Sequence, residues 1–547
     1  MNKFSAHLAD EIVFKTLRSE MLKFFVILSL STMAVSAFAQ TYCKLTSSKV
    51  LELSSALGGQ SFYGYGCNAT GGLGGTTCQV TRGTDSELSP VAGMLRYCVE
   101  KRGLSDPSAP IIITFHPDLA GKFIRLEAPL SLRPNTTIDG RMPANALPVT
   151  ISHKRIVMDN PCHPDILDPK NVPSICDPVS GNPGLLKNSA GQIPRYVWRT
   201  NVGNKAYLFL LRNDDYYKKL QNLDIENIII TDLTFRADMP DNLPLATDDL
   251  NGKSAFPNPC AVSNSAWKSP SAIANPREVT GCPVMIEMGV EDYKALKKTQ
   301  KIVIANSDFS FCGNKCIVGN DSADGITIVR NHFHESFFAV LLGMKAHVNL
   351  SRTLKPDYGI APLSRYTFYQ NHFEKVLRRN PRCASFVNCH VHSNVVENWG
   401  SPSQTGFGIA VESGGWMVAE WNFFSDASLD QTSFTSKNPA VHIQNSFGVN
   451  LDDSQRDPSI MFLGRVGLVK NGIVESMDGI SAVIDPNPNV TGDVRLFATD
   501  GELKDSKGKI TNVKPFIPSN DYKYSPLTLS KSNYDSVING AGPRTLP

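Results

Sequence analysis

The chain has 547 residues, including 40 Gly and 35 Pro, and its 54 Lys and Arg against 51 Asp and Glu give a formal charge of only +3. This near balance argues against a nucleic-acid binder that depends on bulk positive charge, so an acidic partner must be met by local clusters. Frequent Gly and Pro favour many turns, and all-β architectures of this length often form one unit.

The N-terminal segment has the pattern of an export signal. From Met21, MLKFFVILSLSTMAVSAFAQ contains a lysine, an apolar run and a small-x-small site, Ala37-Phe38-Ala39, before Gln40. The apolar run is too short to favour the alternative, a membrane-spanning helix. We predict a signal peptide over residues 1–39, of which residues 1–20 resemble a misassigned upstream start, and one secreted or periplasmic domain over residues 40–547.

All twelve cysteines follow this cleavage site. An even number in an exported chain predicts disulfides, although the sequence leaves their connectivity open. Neighbouring cysteines form six couples: Cys43 with Cys67, Cys78 with Cys98, Cys162 with Cys176, Cys260 with Cys282, Cys312 with Cys316, and Cys383 with Cys389. A zinc site is the alternative, but no second CxxC or HxxxH accompanies them at ligand spacing.

A strand pattern recurs around four phenylalanines. Each has large apolar residues seven and five positions earlier, which predicts short strands with one buried face. The sets are Phe235 with Ile228 and Ile230, Phe309 with Ile302 and Ile304, Phe333 with Ile326 and Ile328, and Phe373 with Tyr366 and Phe368. Phe309 and Phe333 are about one coil of a parallel β-helix apart, and the longer intervals indicate looped insertions. A β-sandwich with irregular loops is the alternative.

Two asparagines, Asn331 and Asn371, stand two residues before the anchoring phenylalanines. At that position a side-chain amide can hydrogen-bond to its counterpart on the next coil. We therefore expect a contact between these two side chains.

Several further segments carry a family resemblance. They are GCNATGGLGGTTCQVT, the helix-like MLRYCVEKRG, TIDGR at Thr137–Arg141, NIIITDLTF at Asn227–Phe235, DGITIVRNHFHES, VLLG at Val340–Gly343, and the tail SNDYKYSPLTLSKSNYDSVINGAGP. Together they resemble the pectate lyase family of secreted bacterial polysaccharide lyases over most of residues 60–545. The resemblance implies an all-β, right-handed parallel β-helix with long loop insertions and a short N-terminal capping helix.

The same resemblance implies a function. It implies a monomeric enzyme that cleaves an acidic polysaccharide such as polygalacturonate by β-elimination, with no nucleic-acid partner and no stable membrane insertion. Two alternatives from other classes remain: a catalytically impaired carbohydrate-binding β-helix and an adhesin-like surface β-helix. A third alternative, a calcium-independent pectin lyase-like enzyme acting on methyl-esterified pectin, keeps the lyase chemistry.

The segment NHFEKVLRRNPRC is the most specific part of the resemblance. In the family, a strand ending N-x-F precedes an R-x-P loop whose arginine is the candidate base, so Arg379 is the candidate catalytic residue. Arg382 matches a frequent family arginine, and with Arg378 it is a candidate for substrate binding. Guanidinium groups bind carboxylates bidentately and stabilise an enolate-like intermediate. Crowding by cations would favour proton loss from Arg379; a solvated basic loop is the alternative.

The family resemblance makes calcium a possible cofactor, but the family's usual ligand positions are not matched here. Calcium-using relatives hold the ion with carboxylates on neighbouring coils, whereas this chain has Val284, Cys312 and Cys316 near those places. Because Ca²⁺ prefers six or more oxygen ligands, we expect the usual site to be missing. Lys315 is a candidate to replace the ion electrostatically. The remaining oxygen-donor candidates are Asp308, Asp321 and Asp324.

Two other positions that differ from the family pattern predict different contacts with the substrate. Phe338 aligns with a family lysine, and Ala384 or Ser385 aligns with the second arginine of R-x-P-x-x-R. The histidines of the strands are expected to be structural or surface groups. They are His332, His334, His372, His390 and His392.

Overall fold

The protein is described by a computed structural model over most of residues 43–546. The gaps are 102–103, 154–155, 160–195, 200–205, 213–223, 237–282, 290–298, 313–314, 321, 344–363, 385–386, 401–405, 413–414, 426–440, 445–458, 463–465, 471–472, 478–494, 498–502 and 505–517. In the described ranges, no helix combines the length and apolar character needed to cross a membrane.

Some of the predicted features lie outside the described residues. They are the signal peptide, the calcium-ligand candidate Asp321, the aligned Ser385, and four of the predicted disulfide cysteines, Cys162, Cys176, Cys260 and Cys282. The disulfide between Cys162 and Cys176 therefore stays a prediction. The disulfide between Cys260 and Cys282 stays a prediction for the same reason.

Three long sheets of mostly parallel strands form the body of the described chain. Sheet A contains β1 (Thr76–Val80), β2 (Ile111–Phe115), β5 (Thr136–Asp139), β10 (Ile225–Thr231), β13 (Thr299–Ala305), β16 (Ala323–Val329), β19 (Ser364–Tyr369), β22 (Val387–His392), β25 (Trp416–Glu420), β28 (Ser459–Phe462), β31 (Arg495–Phe497) and β32 (Leu503–Lys504). Sheet B contains β3 (Phe123–Leu126), β6 (Thr150–His153), β11 (Thr234–Arg236), β14 (Asp308–Ser310), β17 (His332–Phe338), β20 (His372–Arg378), β23 (Val395–Glu397), β26 (Phe423–Ser425), β29 (Val466–Lys470) and β30 (Ile473–Met477).

Sheet C completes each coil of the chain. It contains β4 (Leu130–Ser131), β9 (Ala206–Leu211), β12 (Pro283–Met288), β15 (Ile317–Gly319), β18 (Val340–Leu342), β21 (Arg382–Ala384), β24 (Ile409–Glu412) and β27 (Val441–Gln444). A separate antiparallel pair is formed by β7 (Ile156–Asp159) and β8 (Tyr196–Arg199). From β2 to β27, apart from the β7–β8 insertion, successive strands pass from sheet A to B to C, and each coil pairs with the next in all three sheets. This order confirms the predicted parallel β-helix. The last strands differ, because β29 with β30 and β31 with β32 pair antiparallel.

The four anchoring phenylalanines stack inside the helix. Phe235, Phe309, Phe333 and Phe373 are fully buried, and each ring centroid lies 4.9 Å from the next. This distance matches the spacing of neighbouring strands, so the recurring residue occupies the same position in successive coils. The predicted strands and their shared core are confirmed.

Buried asparagines connect the coils at the turn between sheets A and B. Asn331 Nδ2 donates to Asn371 Oδ1 at 3.1 Å, as expected, and the ladder continues from Asn371 to Asn394 and from Asn394 to Asn422. Each backbone N–H in this series also donates to the next amide oxygen. The ladder therefore satisfies polar groups that the turn would otherwise bury without partners.

The Gly-rich entry segment crosses the outer face of sheet A at close range. A Cβ on Gly66 would lie 2.4 Å from the Ile302 carbonyl oxygen, and one on Gly72 would lie 1.8 Å from that of Ile111. The backbone N–H groups of Gly66 and Gly72 instead donate to Thr327 and Thr137 hydroxyls. Glycine is required here because the two backbones approach more closely than a side chain permits.

Helices lie outside the coils. They are α1 (Ser47–Ala56), α2 (Leu95–Val99), α3 (Lys531–Gly540) and two short 3₁₀ helices (Pro117–Leu119 and Pro518–Asn520). The predicted capping helix in MLRYCVEKRG is confirmed as α2, whereas α1 and α3 were not predicted. Four predicted disulfides are also confirmed: Cys43–Cys67, Cys78–Cys98, Cys312–Cys316 and Cys383–Cys389.

Candidate active site

The outer face of sheet C presents one residue from each successive strand. The row runs in register through Leu210, Glu287, Val318, Leu341 and Arg382. Their neighbours Phe209, Ile286, Ile317, Val340 and Cys383 belong to the core, so the alternation of a β-strand directs the row outward. Glu287 and Arg382 are three strands apart, or about 14 Å.

The loop that carries the arginines joins β20 to β21 at one edge of this face. Arg378 ends β20, Arg382 begins β21, and Arg379 lies between them with a backbone φ of +69°. The Arg379 carbonyl accepts from Val340 N–H at 2.9 Å, and Asn380 N–H donates to Gly408 O at 3.0 Å. Backbone hydrogen bonds to coils on both sides therefore hold this short loop in place.

An aromatic ring brings two of the predicted cations together. Arg379 Cζ lies 3.8 Å from the centroid of the Phe338 ring, and Lys315 Nζ lies 5.8 Å from it. Phe337 and Leu377 pack with Phe338, and Lys315 is only 8% exposed. The face of an aromatic ring attracts cations at these distances, so Phe338 positions both side chains.

Arg378 and Arg382 lie near one carboxylate, Glu412. Arg382 forms an ion pair with Glu412. Arg378 is half-buried and pairs in register with Phe338 on the neighbouring strand; its Nε has no hydrogen-bond partner among the described residues. Burial lowers the pKa of Arg378, and the charge of Glu412 opposes that shift. Glu412 therefore neutralises the positive charge of Arg382 more fully than that of Arg378.

A second polar group on this face was missed by the sequence analysis. Glu287 Oε2 accepts from Arg212 at 2.7 Å, and its Oε1 accepts from Asn320 at 2.9 Å. Arg212 also lies 5.1 Å from the Tyr207 ring, and burial, with the charge of Glu287, raises the Tyr207 pKa. The available sequence signal was a single glutamate within the apolar strand CPVMIEM.

The described part of this face does not fit a calcium ion. Its carboxylates, Glu287 and Glu412, each contact an arginine, whereas Ca²⁺ requires six or more oxygen ligands. Asp324 lies on sheet A and pairs with Arg365 at 2.6 Å, and Asp308 lies on sheet B. The predicted candidates Asp308 and Asp324 are therefore not brought together with the arginines.

The five strand histidines fall into two environments. His390 and His392 are completely buried, and burial lowers the pKa of His390 to about 3. His390 contacts Glu420 at 2.6 Å and the Tyr522 hydroxyl at 2.5 Å, as expected of a structural group. His332, His334 and His372 instead lie on the outer face of sheet B.

The chain is similar to several solved structures. The major allergen from cedar pollen, jun a 1, is 15% identical, with 90% of this chain and 99% of the allergen covered and a TM-score of 0.45. A pectate lyase from Bacillus sp. N165, solved in complex with trigalacturonate, is 13% identical, with 88% and 99% covered and a TM-score of 0.39. Pectate lyase C from Erwinia chrysanthemi, at pH 9.5 with 30 mM Ca²⁺, is 10% identical, with 89% and 98% covered and a TM-score of 0.39.

No family model matches the chain. No curated protein matches it either. At the identities and TM-scores of the structural neighbours, the assignment of the fold rests on the strand pairing of this chain itself.

Proposed function

We propose that the protein is a secreted polysaccharide lyase that cleaves a pectate-type uronic acid polymer by β-elimination. The observation that carries this proposal is the grouping of Arg379 and Lys315 around Phe338, with Arg378 on the strand beside that ring. A polyanionic substrate requires such a local group of cations, since the formal charge of the whole chain is only +3.

In the proposed reaction, Arg379 removes the proton from the carbon that bears the carboxylate. The electrons of that C–H bond form a double bond to the adjacent carbon, and the bond from that carbon to the glycosidic oxygen breaks with its electron pair on the oxygen. Solvent water protonates this oxygen, and the proton held by Arg379 returns to solvent. Arg378 binds the substrate carboxylate, and Lys315 stabilises the negative charge that develops on it. The neighbouring cations favour the neutral form of Arg379, whereas contact with the Phe338 ring favours its cationic form.

Arg382 has a different role in this proposal from that of Arg378. Its ion pair with Glu412 occupies it before a substrate arrives. Arg382 therefore contributes to substrate binding only in competition with Glu412, and it also holds Glu412 in place near Arg378.

A methyl-esterified polymer is a second candidate substrate. Tyr207, Leu210, Val284 and Val318 form an apolar cluster on the outer face of sheet C. An ester carries no charge, and it would pack on this surface at a smaller desolvation cost than a carboxylate. The two candidates differ in their predicted salt dependence, because only the pectate reaction depends on attraction between charges.

The decisive experiment follows ultraviolet absorbance of the unsaturated product with polygalacturonate and with methyl-esterified pectin. Each reaction is run with added calcium and with a chelator, using wild type, Arg379→Ala and the control Arg125→Ala. Arg125 is matched because it also stacks on a phenylalanine, Phe123 at 4.5 Å, but on sheet B. Because a general base contributes about 10²–10⁴-fold, we expect a loss of that size in Arg379→Ala only.

The outcomes separate the functional classes. Product from wild type and Arg125→Ala, but not from Arg379→Ala, supports the lyase. Binding of either polymer without product would assign the chain to the carbohydrate-binding class instead. If neither polymer binds, the proposal is wrong, and a surface β-helix with another partner becomes the explanation.

A further inference from the structure

The outer face of sheet B carries a group of imidazoles and carboxylates on two adjacent strands. Asp308 of β14 pairs in register with His332 of β17, and His334 lies two residues further along β17. His334 Nε2 lies 3.0 Å and His332 Nδ1 lies 3.3 Å from the same oxygen, Asp308 Oδ2. The two imidazole rings stack with centroids 4.4 Å apart. Three potential ligand atoms therefore converge on a rigid sheet.

We propose that Asp308, His332 and His334 bind a divalent transition-metal ion, with Zn²⁺ as the expected occupant. Two imidazoles and a carboxylate suit Zn²⁺, whereas Ca²⁺ prefers an all-oxygen set. The three side chains are between 17% and 24% exposed, so solvent can reach the group and provide a water molecule as the fourth ligand.

The spacing of the donor atoms fits a bound ion. Bonds of about 2.0–2.2 Å in a tetrahedral zinc site place neighbouring ligand atoms about 3.3–3.5 Å apart. The two distances from Asp308 Oδ2, 3.0 and 3.3 Å, are close to this range. Small side-chain rotations therefore suffice to form the site, and the paired strands need not move.

A second observation is the position of carboxylates behind both histidines. His332 Nε2 lies 3.4 Å from Glu374 Oε2, and His334 Nδ1 lies 3.4 Å from Glu335 Oε2. In each ring, the nitrogen remote from Asp308 thus faces a carboxylate. Metal-ligating histidines commonly donate their other N–H to such a carboxylate, which sets the tautomer and the ring orientation.

The outer nitrogen of His332 is enclosed by protein. His332 Nε2 is buried and makes no well-aligned hydrogen bond among the described residues, and Glu374 Oε2 lies 3.4 Å from it. In the metal site, Nδ1 binds the ion and this N–H donates to Glu374. His372 on the next strand belongs to a separate group of potential ligand atoms with His332 and Glu374, and it is not part of the group around Asp308.

The competing explanation is a network of ion pairs with no metal. The same distances would serve protonated histidines between Asp308, Glu335 and Glu374. The two explanations differ in measurable ways, because only the metal site has a defined stoichiometry, a coordination spectrum and a dependence on all three ligands.

The test is titration of the purified, chelator-stripped full chain with Zn²⁺ by calorimetry, accompanied by the visible spectrum after Co²⁺ addition. The ligand variants are Asp308→Asn, His332→Ala and His334→Ala. A fourth variant, Glu374→Gln, tests the outer carboxylate. The control is His116→Ala. His116 also faces a carboxylate, Asp118 at 3.4 Å, but it is a surface residue outside the group.

We expect one Zn²⁺ per chain, a tetrahedral Co²⁺ spectrum, and a rise in the unfolding temperature of wild type on adding Zn²⁺. Each ligand variant should lose at least about 100-fold in affinity and Glu374→Gln about tenfold, with His116→Ala unchanged. Circular dichroism establishes that each variant is folded. Absence of stoichiometric binding, or binding that persists in folded His332→Ala and His334→Ala, would overturn the proposal. The result is independent of lyase activity.

Discussion

Arg379 and Phe338 come from adjacent coils, and the guanidinium carbon lies 3.8 Å from the ring centroid. The backbone provides this proximity, since Phe338 ends β17 opposite Arg378 of β20. The residue that departs from the family's lysine is thus the one that contacts the candidate catalytic arginine. The ring of Phe338 therefore lies beside Arg379 at the position where the family resemblance predicts a lysine.

Replacing Phe338 with leucine should alter catalysis more than folding. Leucine keeps an apolar side chain against Phe337 and Leu377 but removes the ring that stabilises and orients the guanidinium, a contact worth about 1–2 kcal/mol. We expect kcat to fall about tenfold and the rising limb of the pH–rate profile to move to lower pH. The check is a pH–rate series beside Phe123→Leu, which removes the ring under Arg125. Equal effects of the two variants would contradict the assignment.

Replacing Glu412 with glutamine should release Arg382 for substrate. The present ion pair competes with a substrate carboxylate for this guanidinium. A new charge-assisted contact of roughly 1 kcal/mol corresponds to about fivefold tighter binding of an oligogalacturonate. Calorimetry at about 0.05 and 0.5 M salt should show this gain mainly at low salt. Glu100→Gln, which removes a glutamate facing Arg96, serves as the control, and unchanged affinity would place Arg382 away from the substrate.

Replacing Arg544 with alanine should strongly destabilise the fold. Arg544 in the C-terminal tail binds Asp232 through two side-chain hydrogen bonds and its backbone N–H, and Asp232 is completely buried. Removal of the arginine leaves this carboxylate without its charged partner, at a cost of about 3–5 kcal/mol. Urea unfolding measures the loss.

The matched control for Arg544 is Lys531→Ala, which removes an exposed pair with Asp535. Such surface pairs contribute about 0–1 kcal/mol. A similar, small effect of the two substitutions would show that the tail does not stabilise the coils through Asp232.

Lys101 should make stability depend on pH in the alkaline range. Its Nζ donates to the Ala109 and Pro134 carbonyls, and burial lowers the pKa of Lys101 to about 8 from its ordinary value of 10.5. Between these values the unfolded chain binds more protons, so this group raises the free energy of unfolding as pH increases. The neutral amine can still donate both hydrogen bonds.

The measurement for Lys101 is urea unfolding of wild type and Lys101→Met on either side of its lowered pKa, at about pH 7.5 and about pH 9.5. The free energy of unfolding of wild type relative to the variant should increase between the two pH values. Lys523→Met controls for general alkaline effects. A wild-type advantage that stays constant or decreases would contradict the lowered pKa of Lys101.

The repeated elements of the fold were accessible from the sequence because each coil places equivalent residues at equivalent positions. The phenylalanine pattern and the pair Asn331 and Asn371 recur along the chain, so local spacing predicted both the stacked core and the first step of the asparagine ladder. The disulfide partners in the described ranges were also recovered, because each pair joins cysteines that are separated by only 4 to 24 positions in the sequence.

The candidate sites required the tertiary structure because they combine residues from different coils and sheets. The sequence of an apolar strand does not show which arginine its glutamate will contact. Glu287 contacts Arg212 because of the register in which β9 and β12 pair. Asp308 and Asp324 are close in sequence, yet the turn between the sheets places one beside His332 and the other beside Arg365. The amino-acid sequence by itself determined the repeating coil, because the same residue types recur at the same positions and make the same contacts in successive coils. The tertiary structure decided which charges meet on its faces, because insertions of unequal length separate those residues along the chain.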